Sequence, residues 1–155
     1  MTSIANIGLK NRPLVYCDAQ NLPPSANRVV QYDQFITNAV RQRVPFRWDE
    51  EIFKAFVANP SGQAAKELRK RGWIVPKSSA NCDRDVRHCA LSDAGQAPDR
   101  SIVFLITQDT DFVTIIHELQ SRGIEVYLIA PPDVSSKLRS AVDFMHFIAL
   151  PPELP

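Results

Sequence analysis

The chain has 155 residues, 45% of them hydrophobic, enough to bury one sizeable core and too few for two ordinary domains. Eighteen basic against 17 acidic residues leave a net charge of +1, so no global field draws the protein to nucleic acid or anionic lipid. Cys17, Cys82 and Cys89 fit neither a zinc ribbon nor a disulfide framework, no aliphatic run reaches membrane length, and the opening MTSIANIGLKNRP lacks a basic-then-apolar leader; the expectation is a soluble, cytoplasmic protein in a reducing compartment.

In chain order, PLVYCD (13–18) is a short β-branched and aromatic run that reads as a buried strand, stopped by the polar turn AQNLPPS, whose two prolines forbid regular structure. From Asn27 to Arg43, Val29, Val30, Phe35, Ile36, Ala39 and Val40 recur at helical spacing, with Asn27 as a candidate N-cap. EIFKAFVAN carries a strand core that breaks at Pro60, GQAAKELRKRG is a helix with a basic last turn and Gly72 in the C′ position, and WIVPK reads as the next strand. A short helix from Asp85 to Ala94, ended by Gly95, lies in a polar segment.

Beyond it, strand SIVFLIT, helix DFVTIIHELQSRG, strand IEVYLIA, helix SSKLRSAVDFM and the extended HFIAL alternate clearly. Strands apolar on both faces, interleaved with helices, imply an α/β fold with a mainly parallel sheet and helices on either side. One domain over 1–150 followed by a flexible tail at 151–155 is expected.

In such a sheet, functional groups gather outside the carboxyl ends of the strands, where the strand order reverses. Asp18 ends the first strand, and Asp109 and Asp111 follow SIVFLIT. If those strands are neighbours, three carboxylates and the Asn21 amide converge on one crevice, and such like charges repel unless a cation sits among them. Oxygen donors without a His/Cys set point to Mg²⁺ or Mn²⁺. The bland alternatives are that Asp111 caps a helix, Asp109 bonds loop amides and Asn21 stabilises a turn.

VYCDAQN resembles the D-x-x-N signature, and TQDTDF the S-G-D-x-D-F signature, of the NYN domain family within the PIN-like nuclease superfamily. The stretch RGIEVYLIAPPDVSSKLRSAVDFMHFI is similar to that family's closing strand, helix and final strand. The resemblance implies a PIN-like three-layer fold, a Mg²⁺ or Mn²⁺ site built from aspartates, and hydrolysis of phosphodiester bonds in RNA. It adds Asp85, in CDRDV, at the place of the family's K-G-x-D-V aspartate, with Asp83 and Asp93 as competitors. Gln108 stands where the family has glycine, and Cys82, Asp83 and Arg84 replace its lysine-glycine segment.

On this reading Asp18, Asp85, Asp109 and Asp111 hold one or two ions, Asn21 orients Asp18 or a water, and Thr107 lends a hydroxyl to a ligand carboxylate or a water. Lys77, Arg84, Arg87, Lys137 and Arg139 are the candidates for RNA phosphates, while each taken singly is more simply explained as ordinary solvated surface. Trp48, Trp73, Tyr16 and Tyr127 are expected to pack rather than stack on bases. An exposed FRW at 46–48 offers a surface for a homodimer. The competing reading is a non-catalytic PIN-like module that binds RNA or a protein and has an impaired metal site, favoured by Gln108 and the altered segment before Asp85. A nucleotide-binding domain is disfavoured, because no glycine-rich phosphate loop follows the first strand.

Overall fold

The computed structural model describes residues 10–19, 26–77 and 81–151. It contains strand β1 (Arg12–Asp18), helix α1 (Ala26–Arg43), β2 (Ile52–Phe56), α2 (Gln63–Lys70), α3 (Cys82–Gly95), β3 (Ser101–Ile106), α4 (Phe112–Ser121), β4 (Glu125–Ala130), the single turn α5 (Ser136–Arg139), a 3-10 turn (Phe144–His146) and β5 (Phe147–Ala149). The sheet has order β2-β1-β3-β4-β5 and every pairing is parallel.

Side chains alternate across a strand, and that alternation sorts the core into two halves. Val15, Cys17, Phe104 and Ile106 face the layer of α1 and α2 with Ile36, Val40 and Leu68. Leu14, Tyr16, Val103 and Leu105 face the opposite layer with Val86, Ile116 and Leu138, from α3, α4 and α5. The three-layer α/β architecture is therefore the observed one. With both faces covered, all of β1 and β3 is buried, which explains why neither strand alternates in hydrophobicity.

Several element boundaries differ from expectation for local reasons. Helix α1 opens at Ala26, so Asn27 lies inside its first turn and not at the cap. WIVPK is not a strand: Ile74 alone bridges to Lys54, and Pro76 has no N–H with which to extend the ladder. Trp73 turns into the core instead, its Nε1 donating to Asp33 Oδ1 at 2.6 Å. Helix α3 starts three residues before Asp85, because Asn81 Oδ1 accepts from the Arg84 N–H at 3.3 Å and so caps it there. The helix expected at 135–145 stops after one turn, since Asp143 Oδ1 takes the N–H groups of Met145 and His146, each at 3.0 Å, in place of helical carbonyls. Gly72 sits at φ +92° just beyond α2, a left-handed closure that a Cβ would strain.

The aromatic residues pack, as expected. Tyr16 and Trp73 are buried, Tyr127 stacks on Phe104 at 5.0 Å, and Trp48 lies beneath the Arg41 guanidinium at 3.7 Å while its Nε1 donates to Val44 O.

The last strand is pinned by a histidine. His146 sits 2.8 Å (Nδ1) from Asp143 and 3.2 Å (Nε2) from Glu125, with its ring 4.6 Å from that of Tyr127. Partial burial by itself lowers its pKa, but the bonds to the two carboxylates outweigh that and raise it. A raised folded-state pKa means that the contribution is fully present below the unfolded value, about pH 6.5, and is lost as pH rises through the folded one. Thermal midpoints of wild type and His146→Gln are therefore expected to differ at pH 5.5 to 6 and to converge at alkaline pH. A pH-independent difference would contradict this account.

Candidate active site

Strand order reverses between β1 and β3: the chain crosses from β1 to β2 over the α1 face, then from β3 through β4 to β5 over the α4 face. The carboxyl ends of β1 and β3 therefore flank the crevice in which open α/β sheets place ligands. The register that pairs Cys17 with Ile106 brings Asp18 beside Thr107. Both continue the parity of Leu14, Tyr16, Val103 and Leu105, so both point to the α3 face.

Asp18 is only 4% exposed, and its carboxyl is held from two sides. Thr107 Oγ1 donates to Oδ2 at 3.1 Å, and the Cys82 thiol, in the first turn of α3, donates to Oδ1 at 3.5 Å. Burial first, and then the neighbouring Asp18, push the Cys82 thiol far above its ordinary pKa, which keeps it a neutral donor. Thr107 Oγ1 in turn accepts from the Asp109 N–H at 3.1 Å, and Asp109 Oδ1 accepts from the Asp111 N–H at 2.9 Å. One hydroxyl thus ties the end of β1 to the loop after β3.

Asp109 also has a local turn role, since its Oδ1 accepts from the N–H of the second residue ahead. Asp111 occupies the N-cap position of α4 but makes no side-chain cap bond. Asp85 lies one turn beyond Cys82, on the same helical stripe. Among the described residues, no ion pair is formed by Asp85, Asp109 or Asp111. Asn21 lies outside the described residues.

Asp93 is no competitor for Asp85. It is buried near the far end of α3, where its Oδ2 accepts from Tyr16 OH at 2.8 Å and from Lys54 Nζ at 2.9 Å. Tyr16 and Lys54 are partners in the β1–β2 register, so the ion pair anchors α3 to the sheet. The sequence carries no local sign of it. Nor does it signal the Cys82–Asp18 contact, beyond placing a cysteine where the family pattern has lysine.

The expected convergence of four aspartates on one ion is not met as the side chains stand: among the described residues, no group of three His, Cys, Asp or Glu side chains could hold a metal. The donor chemistry suits a hard divalent cation. Each Asp18 oxygen and one Asp109 oxygen accepts a hydrogen bond, which leaves further lone pairs on both carboxylates for an ion.

Of the basic candidates, Arg84, Arg87 and Lys137 line one groove between α3, α4 and α5, beside Asp83, Thr110 and Asp111. Arg139 is not among them, because its guanidinium lies over the Phe147 ring at 4.0 Å. Lys77 is exposed and lies outside that groove. On the other side of Asp18, Ile106, Ile129, Pro131 and Leu150 form a small apolar notch. Among the described residues, no helix is long and apolar enough to cross a membrane.

The solved structure of a protein of unknown function from Vibrio parahaemolyticus is similar over 98% of both chains, with a TM-score of 0.66 at 22% identity, a likeness of fold. No curated protein matches the chain. The sequence profile of the NYN domain matches residues 12–151, which takes in every described strand and helix and all the aspartates of the crevice, and the chain belongs to the NYN domain family of the PIN-like nuclease superfamily.

Proposed function

We propose that this protein, as one domain over 1–150, hydrolyses RNA phosphodiester bonds at the crevice between β1 and β3. The observation that carries the reading is that the Thr107 hydroxyl links the Asp18 carboxyl to the backbone N–H of Asp109 at the point where the strand order reverses. Asp18, Asp85, Asp109 and Asp111 are the residues that would hold Mg²⁺ or Mn²⁺. Such an ion supplies positive charge that activates a water and stabilises the charge developing on phosphate.

The protein's own groups do the remaining work. Thr107 and Cys82 fix the Asp18 carboxyl in one orientation, so little reorganisation is needed during reaction. Asp109 keeps Oδ2 without a hydrogen bond among the described residues, available to an ion or to the proton of an attacking water. Arg84 and Lys137, exposed on the adjoining groove, offer charge to the flanking phosphates.

The test is labelled single-stranded and hairpin RNA incubated with the protein in Mn²⁺, Mg²⁺ or EDTA, beside Asp109→Asn prepared identically. Cleavage is expected to need metal and to fall by about a hundredfold in the variant. A second reading, a non-catalytic module that binds RNA, is favoured by the absence of a three-ligand group among the described residues. Folded wild-type protein that neither cleaves nor binds metal by calorimetry would make that reading the correct one.

A further inference from the structure

Leaving the crevice at Asp111, the groove between the first turns of α3 and α4 runs on to Lys137 of α5. Arg84 and Lys137 are exposed on its walls, and neither forms an ion pair among the described residues. The third cation, Arg87, is engaged differently. Its Nε donates to Glu118 Oε2 at 2.7 Å and its Nη2 to Oε1 at 2.6 Å, a two-pronged grip across from α3 to α4.

A phosphate presents the same pair of oxygens to a guanidinium that a carboxylate does, so Glu118 occupies the fork that a nucleic-acid backbone would use. We infer that this groove is the track of a single RNA strand leaving the crevice, and that Glu118 limits its strength by withholding Arg87. The inference rests on the hydrolytic reading for the identity of the strand. Asp83 and Asp111 also line the groove and oppose a polyanion, which makes the state of the third cation decisive. Releasing Arg87 adds one phosphate contact, and its capture by Glu118 keeps the affinity low enough for a cleaved strand to leave.

The experiment is fluorescence anisotropy of a labelled single-stranded oligoribonucleotide in EDTA, titrated at several salt concentrations. Glu118→Gln is expected to tighten binding roughly three- to tenfold and to steepen the salt slope by about 0.7, the value for one added phosphate contact on a single strand. Arg84→Ala and Lys137→Ala are each expected to weaken binding and to flatten the slope by about the same 0.7. The gain must vanish in Arg87→Ala/Glu118→Gln and be absent in Glu67→Gln, which removes the same charge from α2 on the opposite face. Thermal melts establish that each variant is folded.

A gain that survives the loss of Arg87, or that Glu67→Gln reproduces, overturns the inference, as does wild-type protein that binds no RNA. Binding that follows the expected pattern without any cleavage in Mn²⁺ upholds the groove and overturns hydrolysis. Cleavage by the wild type with unchanged binding in every groove variant does the reverse.

Discussion

Asp93→Ala is expected to cost about 3–5 kcal/mol of stability, the range for breaking a buried ion pair from one side. The substitution leaves the Lys54 ammonium, whose side chain is 17% exposed, and the Tyr16 hydroxyl without their shared acceptor. Burial and the adjacent Asp93 hold the Tyr16 phenol far above its ordinary pKa, so it remains a neutral donor that has lost its partner. For a chain of this size the thermal midpoint should fall by roughly 6–20 °C. Asp93→Asn, which retains an acceptor but no charge, should lie between the two. A double replacement, Asp93→Leu with Lys54→Met, should recover much of the loss, because two well-packed apolar side chains substitute for a buried pair at little net cost. A loss below about 1 kcal/mol for Asp93→Ala would mean that the pair is solvated and does not anchor α3. The consequence reaches the crevice, since α3 carries Asp85 and Cys82 toward its other end, about 12 Å and about 16 Å away along the helix axis.

Asp18→Asn is expected to leave the fold intact and to reduce RNA cleavage by about a hundredfold or more, the scale on which removal of one preorganised electrostatic group is felt. Asparagine has the same shape, and its amide oxygen can still accept from Thr107 Oγ1, so the tie between β1 and the loop after β3 survives. What is lost is the charge placed at the switch point. Circular dichroism and a melt near that of wild type, combined with lost cleavage, would separate a chemical role from a structural one. Undiminished cleavage by a folded Asp18→Asn protein would remove Asp18 from the mechanism and turn attention to Asp109 and Asp85.

Much of this was written in local pattern. The apolar runs 13–18, 101–107 and 124–130 could only be buried strands, and their alternation with helical periodicity sufficed for a parallel three-layer α/β fold, because periodicity and burial are properties of neighbouring residues. The aspartates near strand ends were legible too, as the apolar runs give way there to polar residues and carboxylates.

Tertiary structure alone decided what each charged group does, since its partner lies far away in the chain. Asp93 and Asp85 occupy one helix and look alike in sequence, yet Asp93 is claimed by Tyr16, 77 residues away, and by Lys54, 39 away. Arg87 is held by Glu118 at a separation of 31 residues, and Asp18 by Thr107 at 89. Those pairings follow from which helix lies on which face and at what register, and no window of local sequence contains that information. The chain by itself determined where apolar strands give way to carboxylates; the packing of α3 against the sheet decided that Asp93 is bound into the core by Tyr16 and Lys54 while Asp85 forms no ion pair among the described residues.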